Sequence, residues 1–260
     1  MSKLVTYPNG AFCWVDLATS DKYGAQDFYT QLFGWTAVDI PIDRGAPYTM
    51  LRKGNANVCA LYPLPDDMGD HPSWNAYVSV TDAAASADAA IALGGEVIAP
   101  PTDIMRAGRM AVVQDPTGAF VSLWQPDEHT GADLQNEPGA LCWVELQTRD
   151  LDSAMSFYRQ LFGWDMKPSD LVPGIRYEIV QLAEREIGGM MSIREDWGPV
   201  PPNWAIYFCV ADCDETVDAA SRLGGKALFP AMEIEDVGRF AFLQDPQGAV
   251  FAVIQTAHPT

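Results

Sequence analysis

GAFCWVDLATSDKYGAQDFYTQLFGW, residues 10–35, returns as GALCWVELQTRDLDSAMSFYRQLFGW at residues 139–164. The echo runs on beyond the quoted stretch. Tyr48 is answered by Tyr177, Trp74 by Trp204, LGGEV at 93 by LGGKA at 223, and GRMAVVQDPTGA at 108 by GRFAFLQDPQGA at 238. Nearly the whole chain is therefore written twice. A unit this long is a duplicated domain, because solenoid repeats run to roughly 20–50 residues.

Each half opens with an alternating strand, 12–18 and 141–147. Val15 and Leu17 face one way and Trp14 and Asp16 the other. A helix follows. Asp21 and Asp150 stand at the N-cap, Phe28, Tyr29, Leu32 and Phe33 recur at helical spacing, and Gly34 stands where a left-handed residue ends the helix. Three β segments are expected near 35–40, 47–52 and 57–62. PLPDDMGDHPS then leads to a strand at 74–80, a helix from Asp82 to Leu93-Gly94-Gly95, and three more strands ending at Gln125. Asp115-Pro116-Thr117-Gly118 is a hairpin turn, with proline at its second position and glycine at its fourth. Each half is thus two βαβββ units. The domains are 1–125 and 139–260, joined by the polar run 126–138, PDEHTGADLQNEP, as linker.

Composition narrows the function. The chain has 260 residues, 48% of them hydrophobic, enough for a core in each half. No stretch reaches the roughly 20 apolar residues of a membrane span, and MSKLVTYPNG at the start lacks the apolar core of a secretory signal, so a cytoplasmic location is expected. Five cysteines without CxxC spacing, two of them (Cys13 and Cys142) repeat equivalents inside strands, argue against disulfides and structural zinc. With 35 acids against 16 bases the net charge is −19, which repels phosphate backbones and anionic lipid; neither nucleic acid nor membrane is an expected partner.

Paired βαβββ modules, with VxLxTxDxxxxxxFYxxLFGW in the first and a DPxG hairpin in the last, resemble the vicinal oxygen chelate superfamily of glyoxalases, bleomycin-resistance proteins and extradiol dioxygenases. The arrangement in tandem is similar to two-domain bacterial glyoxalase-like proteins. The resemblance implies an α+β fold of two tandem domains, each with a cup-shaped sheet, packed on each other as an intrachain pseudo-dimer, and a small-molecule site in each cup. In metal-binding members the ligands, typically His, Gln or Glu, lie seven residues before the helix-capping Asp and seven after the Asp of DPxG. Those positions here are Trp14, Asn75 and Ser122, then Trp143, Ala205 and Ala252, with Ala60 and Gly189 near the fourth. None is a good ligand for a divalent ion. No metal and no other cofactor is expected. The three histidines, His71, His129 and His258, read as surface residues.

Strand alternation fills the cups instead. The first carries Phe12, Trp14, Asp16, Asn75, Tyr77, Ser79, Phe120, Ser122 and Trp124; the second carries Leu141, Trp143, Glu145, Ala205, Tyr207, Cys209, Val250, Ala252 and Ile254. The first is the more polar and the expected active pocket. Aromatic walls with few polar groups suit a small, flat apolar or aromatic molecule, stacked on Trp14, Tyr77, Phe120 and Trp124 and oriented by Asp16 and Asn75, with Trp143 and Tyr207 the matching walls of the second cup. The alternative is a metal-independent lyase, isomerase or hydrolase. There Asp16 or Glu145, its pKa raised among aromatics, would be the acid or base, and Tyr77 or Arg109 would stabilise an oxyanion. A third reading is a metal-dependent glyoxalase or dioxygenase with displaced ligands.

Overall fold

The computed structural model describes residues 6–42, 47–65, 71–172 and 174–257. The first half runs β1 (Phe12–Thr19), α1 (Lys22–Phe33), β2 (Thr36–Ile40), β3 (Tyr48–Lys53) and β4 (Ala56–Pro63), then β5 (Ser73–Ser79), α2 (Ala83–Ala92), β6 (Glu96–Ile104), β7 (Gly108–Gln114) and β8 (Phe120–Pro126). The second repeats it as β9 (Leu141–Thr148), α3 (Leu151–Phe162), β10 (Asp165–Ser169), β11 (Tyr177–Leu182) and β12 (Arg185–Ser192), then β13 (Asn203–Cys209), α4 (Cys213–Arg222), β14 (Lys226–Ala227), β15 (Met232–Ile234), β16 (Gly238–Gln244) and β17 (Val250–Thr256). This is the expected α+β tandem of βαβββ modules. One strand of the last module departs from the pattern. Both counterparts are irregular at a proline: β6 runs on through Pro100-Pro101 with a shift of register there, whereas the chain around Pro230 leaves the ladder and splits the strand into β14 and β15.

The aspartates expected to start the helices do so. Asp21, Asp82, Asp150 and Asp212 each accept backbone N–H groups of the first turn, and Gly34 and Gly163 end α1 and α3 at φ of 67° and 72°. Among the described residues no helix is long and apolar enough to cross a membrane.

Each half forms one curved sheet, in the order β2-β3-β4-β1-β5-β8-β7-β6 and β10-β11-β12-β9-β13-β17-β16-β14, with β15 beside β16. The first strands of the two modules, β1 with β5 and β9 with β13, pair antiparallel at the centre and place both modules around one concave face.

The opposite faces, with the helices, share a single core that crosses between halves. Its polar contacts are exchanged almost symmetrically. Tyr29 donates to Asp245 at 3.0 Å and Tyr158 to Asp115 at 2.9 Å. Trp74 and Trp204 donate to those same tyrosines, and Trp35 and Trp164 to the carbonyls of Gly139 and Gly10. The Asp of each DPxG turn thus has two tasks. One carboxylate oxygen of Asp115 accepts from Thr117 and Ala119 to close the hairpin, and the other holds the partner domain's tyrosine. The doubled Gly-Trp likewise belongs to the contact between domains, which form the pseudo-dimer within one chain.

Residues 126–138 pack tightly for a polar run. Ala132, Asp133 and Leu134 are buried, Ala132 N–H donates to the Cys13 carbonyl, and Asp133 exchanges bonds with the backbone of Asn57. The segment is a strap across the edge of the first cup.

Candidate functional site

The two concave faces carry the same construction. In the first, Asp16 is 1% exposed and accepts three hydrogen bonds: from Tyr77 at 2.7 Å, Tyr48 at 2.8 Å and Asn75 at 3.0 Å. Trp14 donates to the Tyr48 hydroxyl at 2.9 Å, and Asn75 also donates to Tyr62 at 3.2 Å. In the second, Glu145 accepts from Tyr207 at 3.0 Å and Gln147 at 3.1 Å, Tyr177 bonds it as well, and Trp143 donates to the Tyr177 hydroxyl at 3.0 Å. A Trp–Tyr–carboxylate–Tyr chain therefore sits at the floor of each cup. The two versions compensate in length. Asp16 lies beside Ala60 on the parallel neighbour strand and the longer Glu145 beside Gly189. A Cβ on Gly189 would stand 2.0 Å from the Tyr177 oxygen, so the methylene gained on one strand is given up on the other.

Burial dominates the electrostatics. It pushes the Asp16 carboxyl up to about 6, against the lowering effect of its three donors. Glu145 is raised for the same reason. Burial, reinforced by the adjacent carboxylate, holds Tyr48, Tyr77, Tyr177 and Tyr207 well above the usual tyrosine range, so they act as neutral donors.

Some of the expected cup residues lie on the concave face and others do not. Trp14, Asn75, Tyr77, Ser79, Ser122 and Trp124 lie in register on the concave face of β1, β5 and β8. Phe12 does not. A bulge at Cys13 reverses the alternation, turns Phe12 into the shared core against Trp164 and Trp204, and places Cys13 beside Trp14. Leu141 is displaced in the same way by a bulge at Cys142. Phe120 stands at the start of β8, 49% exposed and outside the buried aromatic cluster. Arg109 is also misplaced by the expectation. Its neighbour Met110 packs into the first cup, so Arg109 turns to the other face, where it pairs with Asp103 at 3.6 Å rather than with Asp16. Arg239 likewise forms a bidentate pair with Asp214. His129 is not a free surface residue: its ring packs on Trp14 and Trp124 with centroids 4.6 and 5.8 Å away, and its Nε2 is buried. His71 is exposed at the mouth of the second cup, and His258 lies outside the described residues.

The sequence reading missed Tyr48, Tyr62, Tyr177 and Met110 as cup residues. The repeat already matched Tyr48 with Tyr177, and extending strand alternation to the outer strands finds all four.

The described residues also outline a cavity of about 1520 Å³, open to solvent, over the second cup. Trp143, Tyr207, Phe229, Phe240 and Phe242 supply aromatic walls, and Glu145 lies on its lining. The second cup lacks the Asn75 and Trp124 of the first. Their counterparts are Ala205 and Ile254, whose smaller side chains leave the space.

The donor set at the chelating positions of this fold does not fit a divalent ion. Indole, amide, hydroxyl and methyl groups occupy them, and among the described residues no group of three or more His, Cys, Asp or Glu is arranged to hold one.

A family model described as the Glyoxalase/Bleomycin resistance protein/Dioxygenase superfamily matches residues 12–123 and again 140–253. A protein named "Putative glyoxylase CFP32" of Mycobacterium tuberculosis (strain CDC 1551 / Oshkosh) is 40% identical over 260 residues, 99% of each chain. "Anthracycline biosynthesis protein DnrV" of Streptomyces peucetius is 34% identical over 266 residues, 97% of this chain and 95% of that one. Among solved structures, the Mn(II)-bound glyoxalase from Novosphingobium aromaticivorans aligns over 100% of this chain and 87% of its own with a TM-score of 0.64 at 14% identity. The 2,3-dioxygenase LapB from Pseudomonas sp. KL28 aligns over 97% and 95% with a TM-score of 0.65 at 12% identity. At these identities the two structures share the fold.

Proposed function

The chain belongs to the Glyoxalase/Bleomycin resistance protein/Dioxygenase superfamily, and from that premise we propose that its second cup binds a small, flat apolar or aromatic organic molecule without a metal ion. The observation that carries this reading is the aromatic-walled cavity over Glu145. It has room for a molecule of several fused rings. Trp143, Phe240 and Phe242 would stack on or edge against such rings, while Glu145 and Tyr207 fix a polar substituent. The name of one relative, the anthracycline biosynthesis protein DnrV, lends support, since anthracyclines are built on flat fused rings. A reducing cytoplasm suits the five free cysteines.

The favoured pocket is thus the second cup rather than the first. Polarity alone favours the first, but bound volume is what a ligand of this class needs.

A second reading, that the first cup is a metal-independent lyase, isomerase or hydrolase, is favoured by Asp16. A carboxyl at about 6, flanked by the neutral phenols of Tyr48 and Tyr77, is poised to give or take a proton near neutrality.

Native mass spectrometry of protein purified without chelator or histidine tag tests the main reading. An organic adduct with no divalent metal is the expected result. Stoichiometric divalent metal contradicts it.

A further inference from the structure

The bulge in β9 has a chemical consequence beyond register. It adds Cys142 to the concave face, where its thiol donates to the Tyr207 carbonyl at 3.4 Å and meets the thiol of Cys209 on β13. Both cysteines line the cavity, and Cys142 is partly exposed to it. The first half supplies an internal comparison. Its bulge carries Cys13, whose thiol donates to the Tyr77 carbonyl at 3.5 Å, but the counterpart of Cys209 is Ser79. The fold is therefore satisfied by serine at that position, and the thiol pair is a feature of the second cup alone.

We propose that Cys142 and Cys209 form a reactive dithiol on the wall of the second cup, which a small hydroperoxide entering the cavity oxidises to an intramolecular disulfide. Cys209 is the attacking group. The Cys142 thiol, a hydroxyl from Thr256 and the ammonium of Lys53 favour its thiolate and lower its pKa. Cys209 is itself only 5% exposed, but it borders the cavity; Cys13, Cys59 and Cys213 are each 0% exposed, and burial raises all three, Cys213 to about 11.

The step balances. The Cys209 thiolate attacks one oxygen of the hydroperoxide; an S–O bond forms, the O–O bond breaks, and the leaving alkoxide takes a solvent proton to depart as alcohol. The Cys142 sulfur then attacks the Cys209 sulfenic acid. An S–S bond forms, the S–O bond breaks, and the hydroxide leaves as water with the Cys142 proton. Two thiols have lost two electrons and two protons, and the hydroperoxide has become an alcohol and water.

This inference does not depend on which organic molecule the cavity holds. It is tested by exposing the reduced full chain to tert-butyl hydroperoxide and reading intact mass and a non-reducing peptide map. The expected result is loss of two hydrogens and a Cys142–Cys209 link. Cys142→Ser should stop at a sulfenic acid on Cys209, trapped by dimedone, while Cys209→Ser, the residue the first half uses, should give neither product. Limiting iodoacetamide should label Cys209 roughly tenfold faster than Cys213. Both thiols remaining alkylatable after peroxide, oxidation landing first on Cys213, or a link formed only between two copies would each overturn the proposal.

Discussion

Asp16 is the residue at which burial and hydrogen bonding compete most openly. Its carboxyl accepts three donors, yet sits at about 6 against an ordinary value of 3.8, so removal from water outweighs the bonds. The folded pKa lies above the unfolded one. The stability this group contributes is therefore complete below about pH 4 and is lost as pH rises through about 6. Relative to Asp16→Asn, which cannot ionise, the wild type should lose about 2 kcal/mol between pH 4 and pH 7. Glu145 is raised in the same direction but is present in both proteins, so it cancels in the comparison. Paired urea titrations across that pH range measure the difference. A gap between the two proteins that does not change with pH would show that Asp16 does not titrate in this window.

At the level of elements, β strands and capped helices were largely legible in the sequence because their signals are local. An aspartate before each helix, a glycine after the longer ones and a period of two in the strands suffice to order every module. The bulges at Cys13 and Cys142 were not legible. One extra residue in a ladder reverses every side chain beyond it and leaves no mark in composition, which is why Phe12 and Leu141 were assigned to the wrong face. Arg109 was misassigned for the opposite reason. Strand parity, applied to Met110 and Trp124, already puts the arginine on the other side. The cavity was illegible because its walls come from distant segments, Phe229 and Trp197 among them, that no periodicity links. The DPxG turn joins local and long-range structure. Tyr158 donates to Asp115 and accepts from Trp204, all three buried. Tyr158→Phe leaves both partners short of a bond and should destabilise the protein by about 2–4 kcal/mol, whereas Tyr23→Phe, at a site 70% exposed, should change little. Unfolding midpoints in urea separate the two, and equal midpoints would deny the turn its role between domains.

Across the whole molecule, duplication lets the two cups diverge while a shared core holds them in place. Both retain the carboxylate with its tyrosines and tryptophan, and both carry side chains unsuited to a divalent ion at the chelating positions. They differ in what fills the space above. Asn75 and Trp124 occupy the first cup, whereas Ala205 and Ile254 open the second. In the function proposed above, this second cup takes a flat aromatic molecule with no help from metal. Titrating the chelator-treated protein with a hydroxylated anthraquinone, and following quenching of tryptophan fluorescence, tests it directly in wild type and in Ala205→Trp, with a thermal melt to verify that the variant folds. Saturable binding at one site, unchanged by added divalent ions and lost in the folded variant, is the expected result. Absence of saturable binding, dependence on a divalent ion, or equal binding by folded Ala205→Trp would contradict it.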